Sequence, residues 1–345
     1  MQYRKLGRTG LDVSAIGLGT MTWGFQNTQA DGFEQMDYAL ERGINFFDTA
    51  EMYAIPPSSN TFGSTETIIG NWFASRLNRD KVILASKITG PGLSWIRDGE
   101  FIDNKNIVLA VESSLKRLQT DYIDLYQLHW PNRGSYHFGK LWHYAPKFDV
   151  QAEEANFLEV LQTMQELIQA GKIRYFGLCN ETAWGISKWL QLAQQNNLPR
   201  SVSIQNEYSL LCRHFEPDLS EIALNEDCGL LAWSPLCRGM LSGKYLNGAR
   251  PEGARLSIET RVEHRVGPQT DAAISKYVEL AKRHELDACQ MALAFVNSQP
   301  FVTSTLIGAT NMHQLTNNID SISLKLPTEL TEEIDKIRRD HPMPY

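Results

Sequence analysis

The sequence predicts an α/β fold, a (β/α)8 TIM barrel of parallel strands, and three observations predict it. Eight short apolar runs recur along the chain. Stretches with helical periodicity separate them. The 345 residues exceed the roughly 250 that such a barrel needs, which leaves room for an N-terminal β-hairpin and two long loops. The alternative arrangement of the same elements is an open doubly wound sheet.

The opening "MQYRKLGRTGLDVS" reads as a hairpin within residues 1–15, turning at "RTG" and placed to plug the barrel bottom. The runs 14–19, 44–48, 82–87, 122–129, 173–178, 201–206, 230–234 and 303–308 read as the eight strands. They are short and rich in residues that fit a pleat buried on both faces. In 106–119, Ile107, Val111, Leu115 and Leu118 are spaced four, four and three, one stripe of a helix. In 155–171, Leu158, Leu161 and Ile168 repeat the stripe, and Gly171 stands where a C-terminal cap is expected. Segments 30–42, 65–77, 183–196, 217–227, 271–299 and 311–320 fill the remaining helical places. Residues 131–151 and 238–267 are long loops after the fourth and seventh strands, and so lie on the C-terminal face where such barrels place their sites. The whole of 1–345 reads as one domain.

Composition narrows the partners. Lysine and arginine number 33 against 40 acidic residues, a net charge of −7 without long runs of one sign. That argues against nucleic acid or an anionic membrane surface. Five cysteines show no CxxC pair, as expected of reduced thiols in a cytoplasmic protein. No signal-like apolar segment opens the chain. No apolar run reaches the ~18 residues of a membrane helix. His129, His137 and His143 are spaced eight and six, which is not a zinc pattern. No metal is expected.

Strand parity gathers a candidate site. Side chains two apart share a face of a strand. Asp48 shares its face with Ile44 and Phe46, Lys87 with Ile83 and Ala85, His129 with Ile123 and Leu125. If the apolar partners fill the barrel interior, the three polar residues crown its inner wall on adjacent strands. Tyr53, five residues beyond Asp48, can fold over them. A free phenol titrates near 10, and a neighbouring ammonium favours its anion. Lys87 is expected to lower the Tyr53 pKa, Asp48 to hold Lys87 charged, and His129 to orient a substrate oxygen. Read singly, each residue has a plainer role. Asp48 is a turn former, Lys87 a solvated strand end, His129 a packed core histidine and Tyr53 a cover over the barrel.

"DTAEMY", "ASK" and "LYQLHWP" resemble the motifs of the aldo-keto reductase superfamily. "GLGTMTWG", "SLKRLQTDYIDLYQLH", "GKIRYFGLCNE", "QNEYSLLCR", "WSPLCRGMLSGKY" and "LIGATNMHQLTNNI" follow in the family's order. The resemblance covers nearly the whole chain and is nearest the potassium-channel β-subunit-like branch. It implies a catalytic tetrad of Asp48, Tyr53, Lys87 and His129, with Tyr53 as proton donor. It implies reduction of a small-molecule carbonyl by NADPH, bound without a Rossmann domain. Gly19 and Thr20 would flank the cofactor. Asn180 and Gln205 would hold the nicotinamide carboxamide, and Trp233 would lie against the ring. Ser234, Leu236 and Gly239 would line the pyrophosphate path beside Lys244. Gly308, Thr310, Gln314 and Asn318 would hold the adenosine end, with Arg261 on a 2′-phosphate. A helix start near Asn311 suits a phosphate independently, although an ordinary cap explains the same residues. Cys179 stands where the family commonly has serine. Cys237 and Arg238 fall beside the pyrophosphate path.

Trp23, Trp95, Trp130, Tyr136 and Trp142 form an expected aromatic wall for an apolar aldehyde or ketone. The alternative is that they only anchor loops. Two other functions fit parts of the pattern. One is a cofactor-binding regulatory subunit on the same fold. The other is a glycosidase using Glu181 and Glu207, which would need two free carboxylates about 5–9 Å apart.

Overall fold

The computed structural model describes residues 1–345, the side chain of Thr260 excepted. An antiparallel hairpin, β1 (Tyr3–Lys5) and β2 (Asp12–Ser14), comes first. The alternation that follows is β3 (Ile16–Gly19), α1 (Gln29–Glu41), β4 (Phe46–Asp48), α2 (Ser64–Arg76), β5 (Ile83–Ile88), α3 (Asn104–Leu118) and β6 (Ile123–Leu128). Next come α4 (Val150–Gln169), β7 (Ile173–Cys179), α5 (Ala183–Gln195), β8 (Ile204–Gln205), α6 (Leu219–Asn225) and β9 (Leu230–Ala232). The chain closes with α7 (Arg255–Ile258), α8 (Pro268–Arg283), α9 (Ala288–Ser298), β10 (Val302–Ile307), α10 (Met312–Asp320) and α11 (Thr328–Asp340). The eight strands β3 to β10 pair in parallel in chain order, and β10 returns to β3 to close the barrel. This is the expected TIM barrel.

Burial explains the register. Phe46, Ala85, Leu125, Leu231 and Leu306 fill the barrel interior together with Leu6, Val13 and Val202. Leu6 and Val13 come from the hairpin, so it plugs the bottom, as expected. Each such side chain contributes about 1.5–3 kcal/mol when fully buried. The opposite faces of the strands meet the helices in a larger shell that includes Phe47, Trp72, Tyr126, Phe157 and Phe176. Ile83 keeps the expected inward company. Ile44 and Ile123, at strand beginnings, join the outer shell instead.

Three element assignments change. Segment 271–299 is two helices, because the chain turns at Glu285 (φ 55°) and Asp287 caps a new helix by accepting the Gln290 N–H at 2.9 Å. Helix α11 was not anticipated; Leu330 and Ile334 bury its inner face. The loop after β9 is not structureless, for it holds short 3-10 turns and α7. Gly171 does end α4 in the left-handed region, at φ 71°. Among the described residues no helix is long and apolar enough to cross a membrane.

Candidate active site

The inner wall of the barrel ends in an ion pair. Lys87 Nζ lies 2.7 Å from Asp48 Oδ2 and 2.8 Å from the Thr49 carbonyl oxygen, and its side chain is fully buried. Asp48 Oδ1 accepts from Gln205 Nε2 at 2.8 Å and from Gln127 Nε2 at 3.2 Å. Gln205 Nε2 also donates to Gln127 Oε1 at 3.1 Å. Taking both charges out of water costs several kcal/mol per ion unless each is fully solvated by the protein. Here every oxygen of the carboxylate has a donor. Gln127 was not anticipated, yet parity could have found it, since it lies two residues before His129 on the same inward face.

Tyr53 is brought back over this pair by a short turn. The Thr49 N–H donates to the Ala85 carbonyl at 2.9 Å and the Glu51 N–H to the Lys87 carbonyl at 3.2 Å, so the turn runs along the end of β5. Tyr53 packs against a buried cluster of Ala50, Met52, Ile55 and Ile96, as does Trp130. Lys87 Nζ sits 5.0 Å from the Tyr53 ring centroid. The His129 ring meets Tyr53 edge-on, with centroids 5.8 Å apart. The structure therefore brings Asp48, Tyr53, Lys87 and His129 together.

Their protonation follows from burial and charge. Burial disfavours the Lys87 ammonium, but Asp48, and then Tyr53, outweigh it and hold the pKa above its ordinary value. Burial pushes the Tyr53 phenol above 10, while the Lys87 charge and hydrogen bond pull it down. The expected net lowering by Lys87 is thus reversed, because desolvation of a phenolate is the larger effect. His129 is held well below 6.5, first by burial and then by Lys87, so it is neutral near pH 7. Its Nδ1 is buried without a hydrogen-bond partner.

Several of the positions expected to touch a dinucleotide are engaged with one another or with the residues above. Asn180 Nδ2 donates to the His129 carbonyl at 2.8 Å, and Asn180 Oδ1 accepts from Trp233 Nε1 at 3.1 Å. Gln205 is tied to Asp48, as above. Cys179 Sγ lies 3.7 Å from Gln205 Oε1, and burial raises its pKa. Thr20 is buried with its hydroxyl donating to the Asp48 carbonyl at 2.9 Å, which makes it a strut for the site. Gly19 allows close approach, since a Cβ there would stand 3.0 Å from the Ile307 carbonyl oxygen. Asn311 caps α10, as expected. Gln314 Oε1 accepts from the Thr310 N–H at 3.0 Å, and Asn318 Nδ2 donates to the Gly308 carbonyl at 3.2 Å. These are the contacts of an ordinary helix cap.

The loop after β9 combines a left-handed turn with several arginines. Cys237, Arg238 and Gly239 are consecutive left-handed residues (φ 46°, 57° and 87°), following Ser234 at 57° and Leu236. Non-glycine residues adopt that region rarely and at a cost, and here the turn satisfies its own N–H groups: Cys237 donates to the Ser234 carbonyl at 2.8 Å, Arg238 to Ser234 Oγ at 3.1 Å and Gly239 to the Leu236 carbonyl at 2.9 Å. Lys244 is exposed, and its Nζ would lie 3.3 Å from a Cβ on Gly239. Arg255 is buried with Nε and Nη1 unpartnered, and Arg238 has an unpartnered Nε. Burial, and then the nearby Arg238, push Arg255 down to about 10. Arg261 is engaged instead, with both its donors at 2.6 Å from the Glu259 carboxylate. Arg255 was not anticipated, because an aperiodic loop gives no register by which to rank its arginines.

The aromatic wall is only partly assembled. Trp130 lies beside His129, with centroids 5.1 Å apart, and packs on the Tyr53 cluster. Tyr136 folds inward onto His137 and Tyr144. Trp23 is fully buried and donates to Gln35 at 3.1 Å, so it is a core residue and not part of the wall. Trp95 and Trp142 are exposed, and among the described residues neither stacks on another ring. Phe138 takes their place. It stacks on Trp233 at 6.1 Å and meets Trp130 edge-on at 6.2 Å.

Glu181 and Glu207 do not form a free carboxylate pair. Glu181 binds Arg133, and Glu207 is held bidentately by the buried Arg265. Burial raises the Glu181 pKa, whereas at Glu207 the Arg265 charge outweighs burial and lowers it. Among the described residues no cluster of three or more histidine, cysteine or acidic side chains is arranged to hold a metal.

Known proteins are similar to this chain along nearly its whole length. "Protein tas" of Escherichia coli is 49% identical over 347 residues, covering 100% of this chain and 99% of its own. The "Uncharacterized oxidoreductase YrpG" of Bacillus subtilis is 33% identical over 98% of this chain and 96% of its own. A "Putative voltage-gated potassium channel subunit beta" of Schizosaccharomyces pombe is 30% identical over 99% and 94%. The profile described as "Aldo/keto reductase family" matches residues 15–339, and so the chain belongs to that family.

Proposed function

We propose that the protein is an NADPH-dependent reductase of aldehydes and ketones, in which Tyr53 protonates the carbonyl oxygen. The observation that carries this reading is Lys87, fully buried, held by Asp48 and facing the Tyr53 ring. A buried ammonium that only stabilised the fold would be weak design, because an apolar pair of the same volume does as well or better. Beside a phenol it does something an apolar group cannot. It counteracts the rise that burial imposes, so Tyr53 keeps its proton near neutral pH yet can release it to a developing alkoxide. His129, neutral and with a free ring nitrogen, orients the same oxygen.

The residues present fit the dinucleotide. Unpartnered guanidinium nitrogens on Arg255 and Arg238 suit phosphates, and the close glycine at position 19 suits a tightly apposed backbone. NADPH, when bound, would supply the hydride. Trp130, Phe138 and Trp233 offer flat apolar surface, which favours aromatic or apolar carbonyl substrates. A soluble enzyme of the reducing cytoplasm accords with five free thiols.

The test is Tyr53→Phe. Turnover of NADPH with 4-nitrobenzaldehyde is expected to fall by roughly two to four orders of magnitude, with NADPH affinity nearly unchanged because only the hydroxyl is lost. Near-normal turnover in this variant refutes Tyr53 as the acid. A cofactor-binding regulatory subunit is the second reading, favoured by the likeness to the putative potassium channel subunit beta of Schizosaccharomyces pombe. Absence of multiple turnover by the wild type across a panel of aldehydes and ketones would favour it.

A further inference from the structure

Glu51 lies between Asp48 and Tyr53 in sequence and takes no part in the chemistry proposed above. Its side chain is fully buried. Oε1 accepts from the Thr89 N–H at 2.6 Å, two residues beyond Lys87. Arg97 closes on the carboxylate from the other side, Nη1 to Oε2 at 2.8 Å and Nη2 to Oε1 at 2.6 Å. The Glu51 backbone is also fixed at both ends. Its N–H donates to the Lys87 carbonyl, and its carbonyl accepts from the Gly63 N–H at 2.9 Å. One residue thus ties the turn that carries Tyr53 to the strand end that carries Lys87, through both main chain and side chain.

Stability alone does not account for this arrangement. Burying a carboxylate and a guanidinium costs about what their attraction returns, and well-packed apolar groups often serve as well. What a carboxylate adds is direction. It binds one particular N–H and a planar guanidinium in a single geometry. We infer that Glu51 is a positioning residue for Tyr53, with Arg97 as its counter-ion, and that the pair sets the approach of the phenol to the Lys87 ammonium. The inference rests on the reading of Tyr53 as the proton donor.

The required precision makes it testable. A misplacement of about 1 Å costs on the order of 100-fold in rate. Glu51→Gln preserves size and one acceptor for the Thr89 N–H, but loses the charge that holds Arg97. Its kcat is expected to fall by about 10–100-fold, while NADPH affinity, followed by quenching of tryptophan fluorescence, stays within about twofold. The basic limb of the pH–kcat profile is expected to move to higher pH, since a phenol less well aligned with the ammonium releases its proton less readily. A purely structural role would not move that limb. Should Glu51→Gln not fold, Arg97→Met tests the same geometry from the side that reaches solvent, with the same two expectations. Wild-type kcat and an unmoved limb in the folded variant, alongside an inactive Tyr53→Phe, overturn the role of Glu51. An active Tyr53→Phe overturns the underlying reading instead.

Discussion

Replacing Lys87 by methionine separates the chemical from the structural role of the buried ion pair. Methionine fills nearly the same volume but carries no charge. Three groups lose their partner: Asp48 Oδ2 at 2.7 Å, the Thr49 carbonyl at 2.8 Å and the face of Tyr53. Asp48 remains buried, with only the two glutamine amides to solvate it. Breaking a buried pair from one side costs about 3–5 kcal/mol. With roughly 2.1 cal/mol/K of unfolding entropy per residue over this length, that corresponds to a fall in Tm of about 4–7 °C. Adding Asp48→Asn removes the stranded charge, and the double variant is expected to regain most of that loss, because an amide can share hydrogen bonds with Gln127 and Gln205. Activity is expected to behave differently. Both variants lack the ammonium beside Tyr53 and should stay at least about 100-fold below wild type. Calorimetry and a steady-state NADPH assay on the three proteins decide the matter. Recovery of turnover together with Tm in the double variant would refute the reasoning, since it would show that Lys87 matters only for keeping Asp48 in place.

The arginines of the long loop give a second comparison. Arg255→Met is expected to weaken NADPH by about 10–100-fold, the loss of a hydrogen bond to a charged group. Arg261→Ala, which removes a guanidinium already paired through Nε and Nη2 with Glu259, should change affinity less than about threefold on the same scale; titration with each variant checks the ranking, and the reverse order would favour Arg261 as the phosphate ligand. A third expectation concerns acid. Burial pushes His137 down to about 4. A depressed pKa means that the unfolded chain takes up the proton first, so the contribution to stability is complete above about 6.5 and drains away as pH falls towards 4. The whole window is worth about 3 kcal/mol by that linkage. Urea midpoints between pH 6.5 and 4.5 should show the decline, and His137→Gln should flatten it; an equal slope in the variant would assign the acid sensitivity elsewhere.

What the sequence makes legible is what period-two patterning controls. Phe46, Ala85 and Leu125 point inward, and the same parity carries Asp48, Lys87 and His129 to the rim of the barrel. Parity also held Gln127, which polar composition alone did not single out. Residues beyond the strand ends obey turn geometry instead. Trp23 follows β3 by only a few residues, but its N–H bonds back to the Thr20 carbonyl and its indole turns into the core against Gln35. Nothing in residue spacing reports that reversal. Among the loop arginines, Arg261 binds Glu259 at 2.6 Å and Arg255 lies 3.9 Å from the same carboxylate, a ranking that the spacing of an aperiodic loop does not report. The sign of the Tyr53 shift failed for a related reason: the nearby charge can be guessed from sequence, but the depth of the phenol cannot. Helix α11 is the opposite case. Leu330, Ile334 and Ile337, spaced four and three, were readable as an apolar stripe.

The hairpin at the base has a consequence for traffic. With Leu6 and Val13 seated against Phe46, Ala85 and Leu125, the cylinder behaves like a stoppered flask: oil at the foot, open only at the neck. At the other end of the barrel, Trp130 stands beside His129 and meets Phe138 edge-on. If Tyr53 is the proton donor proposed above, whatever crowds that neck governs both the entry of small molecules and the return of its proton.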